Sequence, residues 1–282
     1  QQIQLAENQD QLVNFINRPF DLGNVHAQMK DKKAAFTNEQ REILVRGLEV
    51  QYHGIKCNDK VSKALKSLSN ENTFTVCTGH QLSLLTGPIY FIYKILHVIK
   101  LCEELKVSFP TADFVPIFWM ASEDHDFDEV KETALFNQVL RWDSTHKGAV
   151  GRFSTSGLQD VKNNLKSIFG NSRSNEVLDL LDAYTGPRYG QAFFRFIHSL
   201  FADFGLVVVD GDNVVFKAAF APIIEKELVE QFSFPSVQQA SDALNELGLK
   251  TQVNPREINL FYLSPNSRER IQKKGEDYLI GE

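Results

Sequence analysis

Cysteine is scarce in this chain. Cys57, Cys77 and Cys102 are an odd number and form no CxxC pair. That fits reduced thiols in a cytoplasmic protein better than a disulfide framework, and it argues against a structural zinc centre. Cys77, inside a strand-like run, and Cys102, on an apolar helix, read as packing thiols rather than nucleophiles. No basic start followed by an apolar stretch occurs between Gln1 and Asp10, so no secretory signal is expected. The most apolar helical run, Ile89 to Cys102, is broken by Lys94, His97 and Lys100 and is too short for a bilayer, so no membrane role is expected. Basic clusters are also missing and the net charge is -6, which argues against a nucleic-acid backbone as the main partner. The phosphate-binding patterns GxxxxGK[ST] and GxGxxG are absent.

What is present is an ordinary soluble composition, 43% hydrophobic and 23% charged, with 22 phenylalanines that call for thick packed layers. Over residues 1–70 the chain reads as a polar helical layer. Asn38 to Tyr52 sets Ile43, Leu44, Gly47, Leu48 and Val50 against Glu39, Arg41, Glu42, Arg46 and Glu49, and Asp59 to Leu68 repeats the amphipathic pattern. From residue 73, short apolar runs alternate with helical ones, which predicts an α/β fold: a parallel sheet with helices on both faces. Strands are expected at Thr73 to Cys77, Phe114 to Ala121 and Leu206 to Val209, with a helix opened by Gly87 and Pro88 running to about Lys106 and another from Gly190 to Phe204. Pro116 removes a ladder donor, so the second strand either begins near Ile117 or exposes that position to no neighbour. Residues 71–136 then form the first half of the core. Residues 137–188 form an inserted connective subdomain, with helices near Leu158 to Ile168 and Asn175 to Tyr184. Residues 189–282 continue the core, with helices at Val214 to Gln231 and Ser236 to Leu247 and strands at Leu249 to Val253 and Asn259 to Leu263.

Each of the three core strands ends in polar residues: Thr78, Gly79, His80 and Gln81 after the first, Ser122 to Asp126 after the second, Asp210 to Asp212 after the third. Open α/β sheets bind ligands beyond the carboxyl ends of their strands, so convergence of these turns would make an active site. Gly79 lets backbone approach a ligand, while His80, Gln81 and the helix start at Gly87 suit a phosphate or carboxylate. Glu123 to Glu129 carries five carboxylates around His125, a density that calls for a nearby cation. A substrate ammonium group is more economical than a metal, because no second histidine stands at ligand spacing. His125 or a neighbouring carboxylate such as Asp124 or Asp126 could take the proton of an attacking amine. Tyr90, Lys94 and His97 share a helix face, and Arg152 and Arg256 are candidate carboxylate forks.

Taken together, several segments resemble the bacillithiol biosynthesis cysteine-adding family, BshC: Thr73 to Gln81, Thr86 to Lys94, Phe118 to Phe127, Gly148 to Arg152 and Pro255 to Leu263. The resemblance covers roughly residues 35 to 275. It implies a Rossmann-like core similar to class I aminoacyl-tRNA synthetases and a ligase that joins cysteine to the amine of glucosaminyl-malate. On that reading His80, His125 and Asp126 are catalytic. Thr78, Gly79, Gln81, Gly87, Tyr90, Lys94, Ser122, Glu123, Asp124, Arg152, Asp210 and Arg256 bind substrate. Being a ligase implies ATP with magnesium, although no nucleotide motif carries it, and neither the paired histidines of HxGH nor a KMSKS-like segment is present. The small-molecule partners implied are cysteine, glucosaminyl-malate and a nucleotide. Full-length members are expected to dimerise through a C-terminal coiled coil not found among these residues. Two other readings stay open: a metal-dependent hydrolase built on residues 123–129, and a non-catalytic binding domain.

Overall fold

The computed structural model describes residues 12–19, 21–169 and 174–281. In chain order the elements are α1 (Leu22–Ala35), α2 (Asn38–Gln51), α3 (Asp59–Ser67), β1 (Thr73–His80), α4 (Tyr90–Ser108), β2 (Asp113–Met120), α5 (Phe127–Val130), β3 (Glu132–Leu135), β4 (Gln138–Arg141), α6 (Leu158–Phe169), α7 (Ser174–Ala183), α8 (Tyr189–Phe201), β5 (Val207–Asp210), α9 (Val214–Glu230), α10 (Ser233–Glu246), β6 (Phe261–Leu263), β7 (Arg268–Lys274) and β8 (Asp277–Ile280). They fall into two compact units, one of Asn38–Ala218 with Leu263–Arg268, the other of Gln1–Thr37, Ala219–Tyr262 and Glu269–Glu282.

In the larger unit β1, β2 and β5 form a parallel sheet in that order, as expected of an α/β chain. Apolar residues of the strands and of α4 and α8 meet in one core, where Phe91 lies 5.2 Å from Phe118 and 6.0 Å from Phe193 between ring centroids. Residues 137–188 share that core: Trp142, Phe153 and Tyr184 are each at most 2% exposed. Pro116 sits within β2 itself. Ala121 N–H bonds His80 O, so the odd-numbered amides of β2 face β1 and the even-numbered positions face β5. Because β5 pairs only from Ile117 onward, the missing donor of Pro116 faces no strand.

Side chains from α2 and the residue after it close the outer edge of β5. Gln51 Nε2 donates to Val208 O at 2.8 Å and its Oε1 accepts from Asp210 N at 2.9 Å, while Tyr52 Oη accepts from Val208 N at 2.8 Å. On the opposite edge Lys94 Nζ donates to Gly79 O at 2.6 Å, at the end of β1.

The smaller unit holds α1, α10 and most of α9, and the chain of β6, β7 and β8 runs largely through it, with β7 and β8 antiparallel. Buried Glu227 organises it, accepting from Ser233 N at 3.1 Å, Ser233 Oγ at 2.5 Å and Asn259 N at 2.9 Å.

Four sequence expectations need correction. Thr78, Gly79 and His80, read as a turn, are the last residues of β1. Leu249 to Val253 is not a strand: Leu249 is buried beside the turn that ends α10, while Val253 is 63% exposed. The hairpin β3–β4, the charged strand β7 and its partner β8 were not foreseen. Cys77 is exposed rather than packed, since β1 is an edge strand; Cys102 is buried, and burial pushes its thiol up to about 12.

Candidate active site

The carboxyl ends of the three strands bring the polar residues together. Register places His80 beside Met120 and Met120 beside Asp210, so each chain leaves its strand at the same level. The geometry beyond that level falls into two connected clusters.

In the first, His80 Nδ1 lies 3.0 Å from Gln81 O, a carbonyl that can only accept, so this nitrogen carries the proton. Nε2 is then the acceptor for Tyr90 Oη at 3.0 Å. Burial holds the His80 pKa below its ordinary value, opposed in part by the bond to Gln81 O, and the ring is neutral near pH 7 with a basic Nε2 at the rim. The turn that follows is strained: Leu85, Thr86 and Gly87 all have positive φ, and a Cβ on Gly87 would stand 2.6 Å from Ser83 Cβ. A buried pair fixes it, Tyr184 Oη donating to Tyr189 Oη at 2.6 Å and Tyr189 Oη to Leu82 O at 2.9 Å.

Gln81 joins β1 to the acidic segment, its Nε2 donating to Asp124 Oδ2 at 2.7 Å and Glu129 Oε2 at 2.9 Å. Burial works to raise the Asp124 pKa, but bonds from Gln81 and from the amides of Asp126 and His125 outweigh it and hold the group below the usual range. Arg268 Nη1 lies 3.2 Å from His125 Nδ1. Asp126 caps α5, its Oδ1 accepting from Glu129 N at 3.3 Å.

The second cluster ties β2 to β5. Ser122 Oγ bonds Asp210 Oδ1 and accepts from Asp212 N at 3.1 Å. Arg152 forks onto Asp212 with Nε at 2.6 Å and Nη2 at 2.7 Å, and Lys217 Nζ bridges Asp212 and Glu123, the latter at 2.6 Å. Burial pushes the Asp210 pKa up, only partly offset by Ser122. Asp212 is driven the opposite way, because the bonds from Arg152 and Lys217 overcome its burial.

Of the predicted residues, His80, Gln81, Tyr90, Ser122, Glu123, Asp124, His125, Asp126, Arg152 and Asp210 thus stand at or bond into this rim. Thr78 and Gly79 precede them on β1, with Lys94 on the Gly79 carbonyl. Gly87 lines a separate apolar cavity of about 710 Å³ with Leu85, Ile92, Leu135, Leu165 and Phe196. Arg256 lies in the smaller unit, its guanidinium 5.3 Å from the Phe261 ring centroid. Lys217 supplies a cation to the acidic segment at Glu123, and Arg268 stands against the His125 ring within it. Sequence reasoning missed both, together with Gln51; for Lys217 the signal was its place one helical turn past the third polar end. Among the described residues no group of three or more His, Cys, Asp or Glu side chains could hold a metal ion, and no helix is long and apolar enough to cross a membrane.

Residues 3–281 match the family described as the bacillithiol biosynthesis BshC N-terminal Rossmann-like domain. Relatives that carry the name "Putative cysteine ligase BshC" include one from Cytophaga hutchinsonii, 42% identical over 241 residues, covering 85% of this chain and 45% of the relative. Those of Flavobacterium johnsoniae and Flavobacterium psychrophilum are each 39% identical, covering 97% and 99% of this chain and 52% and 53% of the relatives. The chain spans about half the length of the curated relatives it matches.

Proposed function

The chain belongs to the BshC family, and from that premise we propose that it carries the reactive rim of a cytoplasmic cysteine ligase of bacillithiol biosynthesis. The reaction joins the carboxyl carbon of cysteine to the glucosamine amine of glucosaminyl-malate as an amide. The family match over residues 3–281 carries this reading; the clustering of His80, Gln81, Asp124 and His125 supports the division of labour within it.

An amine attacks an acyl carbon only as the free base, so one group must take its proton and another must stabilise the departing oxygen. Asp124, His125 and Asp126 are assigned to the amine: the first is held ionised by Gln81 and two amides, and His125 stands beside it. Thr78, His80 and Gln81 are assigned to the acyl or phosphate side, with Tyr90 Oη as the partner of His80 Nε2. Ser122 and Asp210 hold the rim in place, and Arg152 stands beside them as a substrate-binding group. ATP is the proposed activating co-substrate. No step is assigned to magnesium. Dimerisation through a coiled coil, and a binding role for Arg256, belong to the same proposal.

Turnover of cysteine and glucosaminyl-malate, with and without ATP, tests it by product mass. His80→Ala and Asp126→Ala are each expected to slow amide formation about 100-fold or more; variants that match the unaltered enzyme, with folding checked by circular dichroism, refute the assignment.

A further inference from the structure

Two tryptophans lie in the larger unit with opposite fates: Trp142 is 1% exposed in the core, whereas Trp119, at the carboxyl end of β2, is 41% exposed. Its neighbours are unusual. Gly79 stands beside it on β1, and a Cβ there would meet Trp119 Cβ at 3.4 Å and Cδ1 at 3.6 Å. Gly211 follows β5, and a Cβ there would meet Cζ2 at 3.2 Å and Cε2 at 3.4 Å. The indole is therefore laid across the strand ends with bare backbone against it on both sides. No flanking side chain rises beside the ring from these two positions. This happens at the rim where α/β sheets bind ligands.

Chemistry at one end of the ring narrows the ligand. Gly211 immediately precedes Asp212, which gathers Arg152 and Lys217, and both cations keep partial exposure, 27% and 33%. The bonds to Asp212 use Nε and Nη2 of Arg152, leaving Nη1, and a lysine ammonium shared by two carboxylates keeps a third N–H. A flat ring that stacks, joined to an anion that meets these donors, describes a nucleotide.

We infer that Trp119 is the stacking platform for a nucleotide base at the sheet rim, with Arg152 and Lys217 receiving its phosphates. The inference deepens the ligase reading and rests on it only in taking ATP as the nucleotide. Iodide quenching of emission excited at 295 nm isolates the exposed Trp119 from buried Trp142. ATP and adenosine should shield the iodide-accessible fraction saturably, and tripolyphosphate should not. By equilibrium dialysis, Trp119→Ala should weaken ATP binding about 5- to 150-fold with Trp119→Phe between, while Lys217→Met weakens ATP but not adenosine. Absence of shielding, unchanged ATP affinity in Trp119→Ala with its circular dichroism intact, or shielding by glucosamine in place of adenosine each overturns it. Turnover is read separately: amide formation with Trp119 open to iodide sinks this inference and spares the reaction, and ATP stacked on Trp119 with no amide formed does the reverse.

Discussion

Replacing Gln51 by leucine tests how the third strand is held. The side-chain amide serves β5 as a missing neighbour would, satisfying Val208 O and Asp210 N at 2.8 and 2.9 Å. Val208 is fully buried, so its carbonyl has no route to water after the change, whereas Asp210 is only partly buried and its amide can be rehydrated. An unsatisfied buried group costs ~1–3 kcal/mol and a rehydrated one less, so the loss should be about 3 kcal/mol. For a unit of this size that corresponds to a fall in Tm of about 6–12 °C. Both tryptophans lie in the larger unit, which makes urea unfolding followed by fluorescence a direct readout of it. Gln51→Glu sharpens the test: it keeps the acceptor for Asp210 N but turns a carboxylate oxygen toward Val208 O, and it should be at least as damaging as leucine. If the glutamate variant unfolds at the same urea concentration as the unaltered protein, the edge-closing role of Gln51 is wrong.

Gly87→Ala should cost about 2–4 kcal/mol, since φ is +61° and the new methyl meets Ser83 Cβ at 2.6 Å, while Gly54→Ala, at φ +76° with open space around it, should cost about 1 kcal/mol; equal midpoints in urea would show that the turn before α4 is not tightly built. His80 has a depressed pKa in the folded protein, so its contribution to stability is present above the unfolded value of 6.5 and is lost as pH falls through the folded one. Stability measured from pH 7 to 5 should therefore decline less in His80→Gln than in the unaltered protein, and parallel curves would refute the shift. Glu227→Ala strips acceptors from Ser233 N, Ser233 Oγ and Asn259 N and should cost about 2–3 kcal/mol, read by far-UV circular dichroism on thermal unfolding; an unchanged melt would mean that water replaces the carboxylate.

Local pattern made the sheet legible. Val76, Phe118 and Val208 sit in runs apolar enough to be strands, and each run ends in residues that only a rim would tolerate. Even the difficulty at Pro116 was readable, because a proline in an inner strand demands a place where no neighbour faces it. What escaped was set by distance along the chain. Gln51 and Val208 are 157 residues apart, and nothing in an amphipathic helix announces that its last residue will close a strand. The segment Arg268–Lys274 escaped for another reason: its charges hide the alternation that marks a half-buried strand. Cys77 looked apolar by its neighbours, yet exposure depends on which strand lies outermost, and that is topology rather than composition. At the site, residue types were legible and partners were not. Arg152 was read as a carboxylate fork, and the carboxylate it grips, Asp212, is a residue of the same rim that no spacing in the sequence singles out.

The late start of β5 has a mechanical consequence. Only Ile117 to Met120 of β2 are laddered on both flanks, and the preceding half of that strand is braced on one side alone. The sheet therefore tapers, and its stiffest width falls directly beneath His80, Ser122 and Asp210. Amides toward Asp113 should breathe and exchange with deuterium sooner than those near Trp119, so that thermal motion is spent at the amino end, away from the reacting groups.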